Sequence, residues 1–214
     1  MPHANSLRAA TCLLLSLTIA GAAAPGASAQ AAPSSAPTSH DSYVTADVEF
    51  MAGMIAHHAQ AVLIAGWAPT HGASPSLRTL CERIVVGQHD EIVLMQRWLS
   101  DHNETVPDGD ASHDMMPGMA HMDQMPQMPG MLTPEQLVQL DQARGPAFDR
   151  LFLTFMIQHH RGAIVMVDKL FGSQGAGEEE RIYRLASDVY ADQTTEIERM
   201  GKMIAALPPE GRSP

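Results

Sequence analysis

Residues 54–66 read Met-Ile-Ala-His-His-Ala-Gln-Ala-Val-Leu-Ile-Ala-Gly, and residues 156–168 read Met-Ile-Gln-His-His-Arg-Gly-Ala-Ile-Val-Met-Val-Asp. Met54, His57 and His58 thus return as Met156, His159 and His160, 102 positions later. Asp47 and Phe50 match Asp149 and Phe152 at the same offset. Further on, Gln88-x-x-Glu91-Ile92-x-x-Met95 returns as Gln193-x-x-Glu196-Ile197-x-x-Met200, 105 positions later. Two segments repeated in the same order, with three extra residues in the second intervening turn, describe one unit used twice. Apolar residues in both segments follow a 3.6-residue period, and alternating β patterns are absent. The chain is therefore expected to be all-α, a four-helix bundle of two repeated helical hairpins with pseudo-two-fold symmetry.

Local signals set the boundaries. A first helix is predicted from about Ala46 to Gly66, followed by a turn at Pro69, Gly72 and Pro75. Ser74 as N-cap and Pro75 at the first helical position open a second helix to about Ser100. Thr133-Pro134-Glu135-Gln136 is a capping-box start for a short helix to about Arg144. Gly145-Pro146 breaks it, a long helix follows from Ala147 to about Phe171, and the last helix stops before Pro208-Pro209. The first hairpin is then 43–101, the second 133–207, and 102–132 is a flexible connection rich in Met, Pro, Gly and His.

The N-terminus reads as an export signal. Arg8 precedes an apolar stretch to about Ala24, and Ala27-Ser28-Ala29 is an A-x-A-type cleavage site, giving a signal peptide of 1–29. Residues 30–42, rich in Ala, Pro, Ser and Thr, read as a flexible leader. No later segment has about 18 uninterrupted apolar residues, so no membrane span is expected. A periplasmic or secreted protein follows. Removal of the signal leaves Cys81 as a lone cysteine in an apolar helical pattern, read as a small buried residue. With 24 acidic against 13 basic residues, the net charge is −11, which disfavours nucleic acid and suits the attraction of cations.

The repeated motif carries the chemistry. On a helix, positions i, i+3 and i+4 share a face. Met54 with His57 and His58, and Met156 with His159 and His160, each group a thioether and two imidazoles, donors that a soft or borderline metal takes. Gly53, Ala61, Gly162 and Ala163 leave the rings room. Gln88, Glu91, Gln193 and Glu196 suit the outer role of fixing histidine tautomers. The same histidines could instead be core residues hydrogen-bonded to those partners. Asp47 and Asp149 fit either the metal stripe or the helix N-terminus, where the dipole favours acids.

A second constellation lies in the connection. Met116, Met119, Met122, Met125, Met128 and Met131 recur at every third position, with Met115, His113 and His121 among them. Pro117, Pro126 and Pro129 forbid a regular helix, and a polyproline-II path would align the thioethers along one edge. Thioether needs no deprotonation and favours Cu(I) and, by the same softness, Ag(I). Glu-x-x-His pairs, nucleophile elbows and phosphate-binding glycine loops are missing.

The order Asp47…Phe50…Met54-x-x-His57-His58-x-x-Ala61, with Gln88-x-x-Glu91-Ile92-x-x-Met95, resembles the domain-of-unknown-function 305 family, which includes CopM-like exported copper-binding proteins. Phe148-Asp149-x-x-Phe152-x-x-x-Met156-Ile157-x-His159-His160-x-Gly162-Ala163 matches it more closely. The resemblance covers about 41–207. It implies a ferritin-like bundle, export and, for some members, copper binding by Met and His, carried here onto Met54, His57, His58, Met156, His159 and His160. The Met-rich segment is not a general family feature; Met116, Met119, His121, Met122, Met125, Met128 and Met131 rest on their own chemistry. The expected function is to sequester Cu(I) or pass it to another copper-handling protein, contributing to copper homeostasis or resistance. Two alternatives are a ferritin-like metal oxidase using the histidines with Glu91 and Glu196, and a metal-free envelope interaction bundle.

Overall fold

A computed structural model describes residues 42–110 and 128–208. The expected signal peptide, most of the leader, and Met116, Met119, His121, Met122 and Met125 lie outside them. The described residues form five helices and no strand: α1 (Thr45–Ala65), α2 (Pro75–Asp101), α3 (Pro134–Gln142), α4 (Pro146–Gly172) and α5 (Glu180–Ala206). The fold is all-α, as the repeat requires. α1 packs on α2, α4 on α5, and the two hairpins join through α1 against α4. The short α3 leans on α4.

The helix starts are set by the residues that the sequence singles out. The Ser74 hydroxyl accepts the Leu77 N–H at 3.4 Å. Thr133 and Gln136 form the reciprocal box: Oγ1 accepts the Gln136 N–H at 3.3 Å, and the Gln136 Oε1 accepts the Thr133 N–H at 3.0 Å. Glu179 caps α5 through the Ile182 N–H and takes the Trp98 indole N–H, each at 3.1 Å.

Asp47 and Asp149 tie the hairpins together. Each lies in the first turn of its helix, buried. Asp47 accepts the N–H of Val44 at 2.8 Å and that of Gly177, in the turn of the other hairpin, at 2.7 Å. Asp149 accepts the N–H of Ser74, in the turn of the first hairpin, at 3.1 Å. Each carboxylate thus closes its partner's turn. Of the two readings the sequence allows, the structure takes the helix N-terminus.

α1 is buried on nearly every side, with Phe50, Met51, Met54, Ile55, Ala61 and Ile64 in the core. By length and composition it is the one described helix apolar enough to cross a membrane, and here most of it is buried against protein. Amid it sit Asp47, His57, His58 and Gln60, all 0% exposed. Such polar groups in an apolar interior cost free energy unless bonded or liganded.

Candidate metal centre

The bundle brings the two histidine pairs together at its centre. α1 and α4 present His57 and His159 to each other, with ring centroids 3.9 Å apart. His58 and His160 point about one residue's helical rotation away, toward the outer helices. There the His58 Nε2 lies 2.8 Å from the Glu91 Oε2 and the His160 Nε2 2.6 Å from the Glu196 Oε2. All four histidines, with Met54 and Met156, are fully buried. Sequence spacing sets each pair; packing α1 on α4 brings His57 and His159 face to face.

Partners fix the tautomers. A carboxylate and a carbonyl only accept, so His58, His160 and His57 each donate Nε2–H, His57 to the Pro129 carbonyl at 3.0 Å. In the neutral ring, Nδ1 then carries the lone pair. The Nδ1 atoms of His57, His58, His159 and His160 are buried with no hydrogen-bond partner, and the His159 Nε2 is too. Burial pushes His57 down to about 3, assisted by His58, with the Pro129 carbonyl pulling the other way. Burial likewise holds His159 well below the usual imidazole range, His57 adding to it. It lowers His160 despite the opposing Glu196. Neutral rings with outward-bonded Nε2 and orphaned Nδ1 lone pairs have the chemistry of ligands waiting for a Lewis acid. Each orphan otherwise costs roughly 1–3 kcal/mol.

Among the described residues, no three His, Cys, Asp or Glu side chains already stand close enough to hold a metal. The His57–His159 pair by itself supplies two imidazoles, so a metal bound there would need further donors. Cys81 offers no thiolate: burial, with the Asp149 charge adding, pushes its thiol up to about 12.

The end of the Met-rich connection lies on this centre. Residues 128–132 cross α1 and α4, and the Leu132 backbone is bracketed by Gln60, whose Oε1 accepts its N–H at 2.8 Å and whose Nε2 donates to its carbonyl at 3.3 Å. Gly162 is the notch: a Cβ there would sit 1.9 Å from the Pro129 oxygen. Gly130 faces it at φ +78, where a Cβ would meet the Gly162 Cα at 2.7 Å. Gly162 therefore makes room for a crossing backbone, not for the histidine rings. Gly53 likewise admits thioethers: the Met128 Sδ and the Met166 Cε both lie within 3.5 Å of where its Cβ would be. Met131 packs half-buried against the core.

Sequence reasoning missed Gln60 and the Pro129 carbonyl. Gln60 carried one available signal, a polar residue on an otherwise apolar helix three positions after His57. Glu91 and Glu196 bond histidines as expected. Gln88 and Gln193 do not: Gln88 has neither amide atom bonded, and the Gln193 Oε1 is also without a partner.

The class defined by this arrangement is an all-α bundle whose two central helices each bury a His-His pair. The chain belongs to the family described as Domain of unknown function (DUF305), whose sequence profile matches residues 47–204. A candidate secreted DUF305 protein from Streptomyces coelicolor shares 27% identity over 78% of this chain and 98% of its own, with a TM-score of 0.63. CopM in its Cu(II)-bound form shares 27% identity, covers 74% of this chain and 95% of its own, and has a TM-score of 0.58. Its Cu(I)-bound form gives 25% identity, the same coverages and a TM-score of 0.55. No curated protein matches the chain in sequence.

Proposed function

We propose that this protein binds Cu(I), with Ag(I) able to substitute, in an exported compartment, and holds or hands on the ion through Met and His donors. The observation that carries the reading is the set of four buried, unpartnered Nδ1 atoms, in rings of which burial lowers the pKa of His57, His159 and His160. Met54 and Met156 are the thioethers that the motif adds. Met116, Met119, His121, Met122, Met125, Met128 and Met131 form a second group of donors, whose last members, Met128 and Met131, flank the Pro129–Gly130 step that meets His57 and Gly162. The likeness to CopM, known with Cu(I) and Cu(II), supports the same cargo. Export is supported by the N-terminal signal pattern and by the Streptomyces relative's description.

The test is competition for Cu(I) against a chromophoric chelator, using protein purified without a His-tag. The full chain is expected to show at least two classes of site. Exchanging His57 and His159 for Gln removes one class, and deleting 113–127 reduces the other. A chain that leaves all copper on a weak chelator overturns the reading. Catalytic turnover of Cu(I) or Fe(II) with oxygen, in place of stoichiometric binding, would move the assignment to a metal oxidase.

A further inference from the structure

Met54, His57, Met156 and His159 are all 0% exposed, so no ion reaches them in this conformation. Two sides of the α1–α4 pair are closed by whole helices: α2 packs along α1 and α5 along α4, each 27 residues long. The side to which His57 turns its Nε2 is closed differently, by the non-helical residues 128–131. They lie over Gly53 and His57 of α1 and over Gln158 and Gly162 of α4, positions one helical turn apart on each helix. Their hold is slight. Pro129 is exposed, and Met128, Gly130 and Met131 are half-buried. Beyond the bond from His57 to the Pro129 carbonyl, the Gln158 amide reaches the Gly130 and Met131 carbonyls only at 3.4 and 3.5 Å, where a hydrogen bond is weak. A surface groove of about 660 Å3 along α4, bordered by Thr154, Ile157 and Val165, leaves room beside Pro129 and Gly130. The next residue is held quite otherwise. Leu132 is 2% exposed in the core, and Gln60 bonds both of its backbone groups. A loosely seated run thus ends on a firm anchor.

We propose that residues 128–131 are the gate of the histidine centre, anchored at Leu132 and latched by Gln158 and the Gly162 notch. The inference rests on the Cu(I) reading and adds how the cargo gets in and out. When the run lifts, the His57 Nε2–H loses its acceptor, and the edge of that ring meets solvent. No helix has to unpack, so the bundle stays folded through both states. The gate itself carries Met128 and Met131. An ion held by their thioethers therefore travels with the cover, and the movement that uncovers the imidazoles also presents the ion to them. Gln158 acts through the gate and is a positioning residue.

In the apo chain the His57 Nε2–H is the reporter, because its acceptor lies on the gate. Its exchange with solvent, followed by NMR, should quicken at least about tenfold in Gly162→Ala, whose new carbon pushes the Pro129 oxygen off its seat. Gln158→Leu, a half-buried position, should quicken it by less. Gly87→Ala, where the added carbon meets nothing, should leave it unchanged. Transfer of Cu(I) from a chromophoric chelator to the full mature chain should show a slow phase whose rate stops rising with chelate concentration, the mark of an opening step before binding. The two gate variants should speed that phase in the same order, with the final copper content unchanged. Native uptake whose rate climbs without limit, unaltered His57 exchange in both gate variants, or equal quickening in Gly87→Ala would each overturn the gate. Should Gly162→Ala fail to fold, Gln158→Leu alone decides, and no quickening there overturns the proposal. Copper left wholly on the chelator strikes the Cu(I) reading and takes the gate's cargo with it; full binding at unaltered rates strikes the gate alone.

Discussion

His57 and His159 are the same residue of one repeat, face each other across the bundle, and live in different surroundings. His57 donates to the Pro129 carbonyl; neither nitrogen of His159 has a partner. Three residues on, the equivalent positions are Gln60 and Gly162, which serve one crossing segment in opposite ways. Gln60 grips its backbone by hydrogen bonds, and Gly162 yields it space. The halves share a design, and the connection breaks their symmetry at the centre. A duplicated scaffold can thus fix the ligands twice and still give each a separate environment.

The largest effect expected is on acid stability. His57 is pushed from the usual 6.5 down to about 3, and His159 and His160 are lowered too. Between those values the unfolded chain binds protons that the folded one refuses. Apo stability should be complete above about pH 6.5 and fall as pH drops toward 3, by several kcal/mol for His57 alone. Urea unfolding from pH 7 to 4 measures the slope. His57→Leu should flatten it, and a slope unchanged in that variant would mean that the His57 ring takes up its proton over the same pH range in the folded and unfolded chain.

Next comes the notch. Gly162→Val places carbon on the Pro129 oxygen and should destabilise by about 1–3 kcal/mol, with loss of protection at the His57 Nε2–H. Valine at Gly87, where an added Cβ meets nothing, is the control. NMR of the imidazole N–H and denaturant midpoints report both. Equal effects at the two glycines would remove the connection from the account.

A smaller effect separates the facing histidines themselves. His159→Leu removes two orphaned nitrogens and should leave apo stability unchanged or raise it by about 1 kcal/mol, whereas His57→Leu strands the Pro129 carbonyl and should cost roughly 1–3 kcal/mol. Both should lose the metal-induced rise in melting temperature, about 2.7 kcal/mol at a hundredfold excess over Kd in the native chain. If both variants keep that rise, the metal sits elsewhere. The smallest difference should be Glu91→Gln against Glu196→Gln, which are equivalent in the repeat and expected to agree within about 0.5 kcal/mol. A wide gap would show that the asymmetry reaches the outer helices.

Much of this was legible because the repeat is written in local signals. Thr133 and Gln136, Ser74 and Pro75, and the proline stops act within a few residues of themselves, so the helices were readable to within a residue or two. The histidine motifs were legible as ligand types at helical spacing. Their meeting was not, because nothing local to His57 says that His159 will lie against it. The crossing at Gly162 was also hidden: a glycine beside a histidine reads as room for the ring, and only the path of residues 128–132 shows what fills it. Gln88 reads as a histidine partner by spacing, yet the Glu one turn on takes that bond.

The carboxylates of Asp47 and Asp149 have a consequence for how such a fold can be assembled. Neither hairpin carries the acid that closes its own turn; each lends its acid to the other. In the language of oligomers, the contact is isologous: residue i meets the partner's j, and j meets the partner's i. A single hairpin is half of a dimer, with an unfilled N–H at its bend and an unmatched histidine on its face. The chain is that dimer made covalent, and the stretch joining the subunits is the one that crosses the shared axis to touch only one of them by hydrogen bond at its histidine.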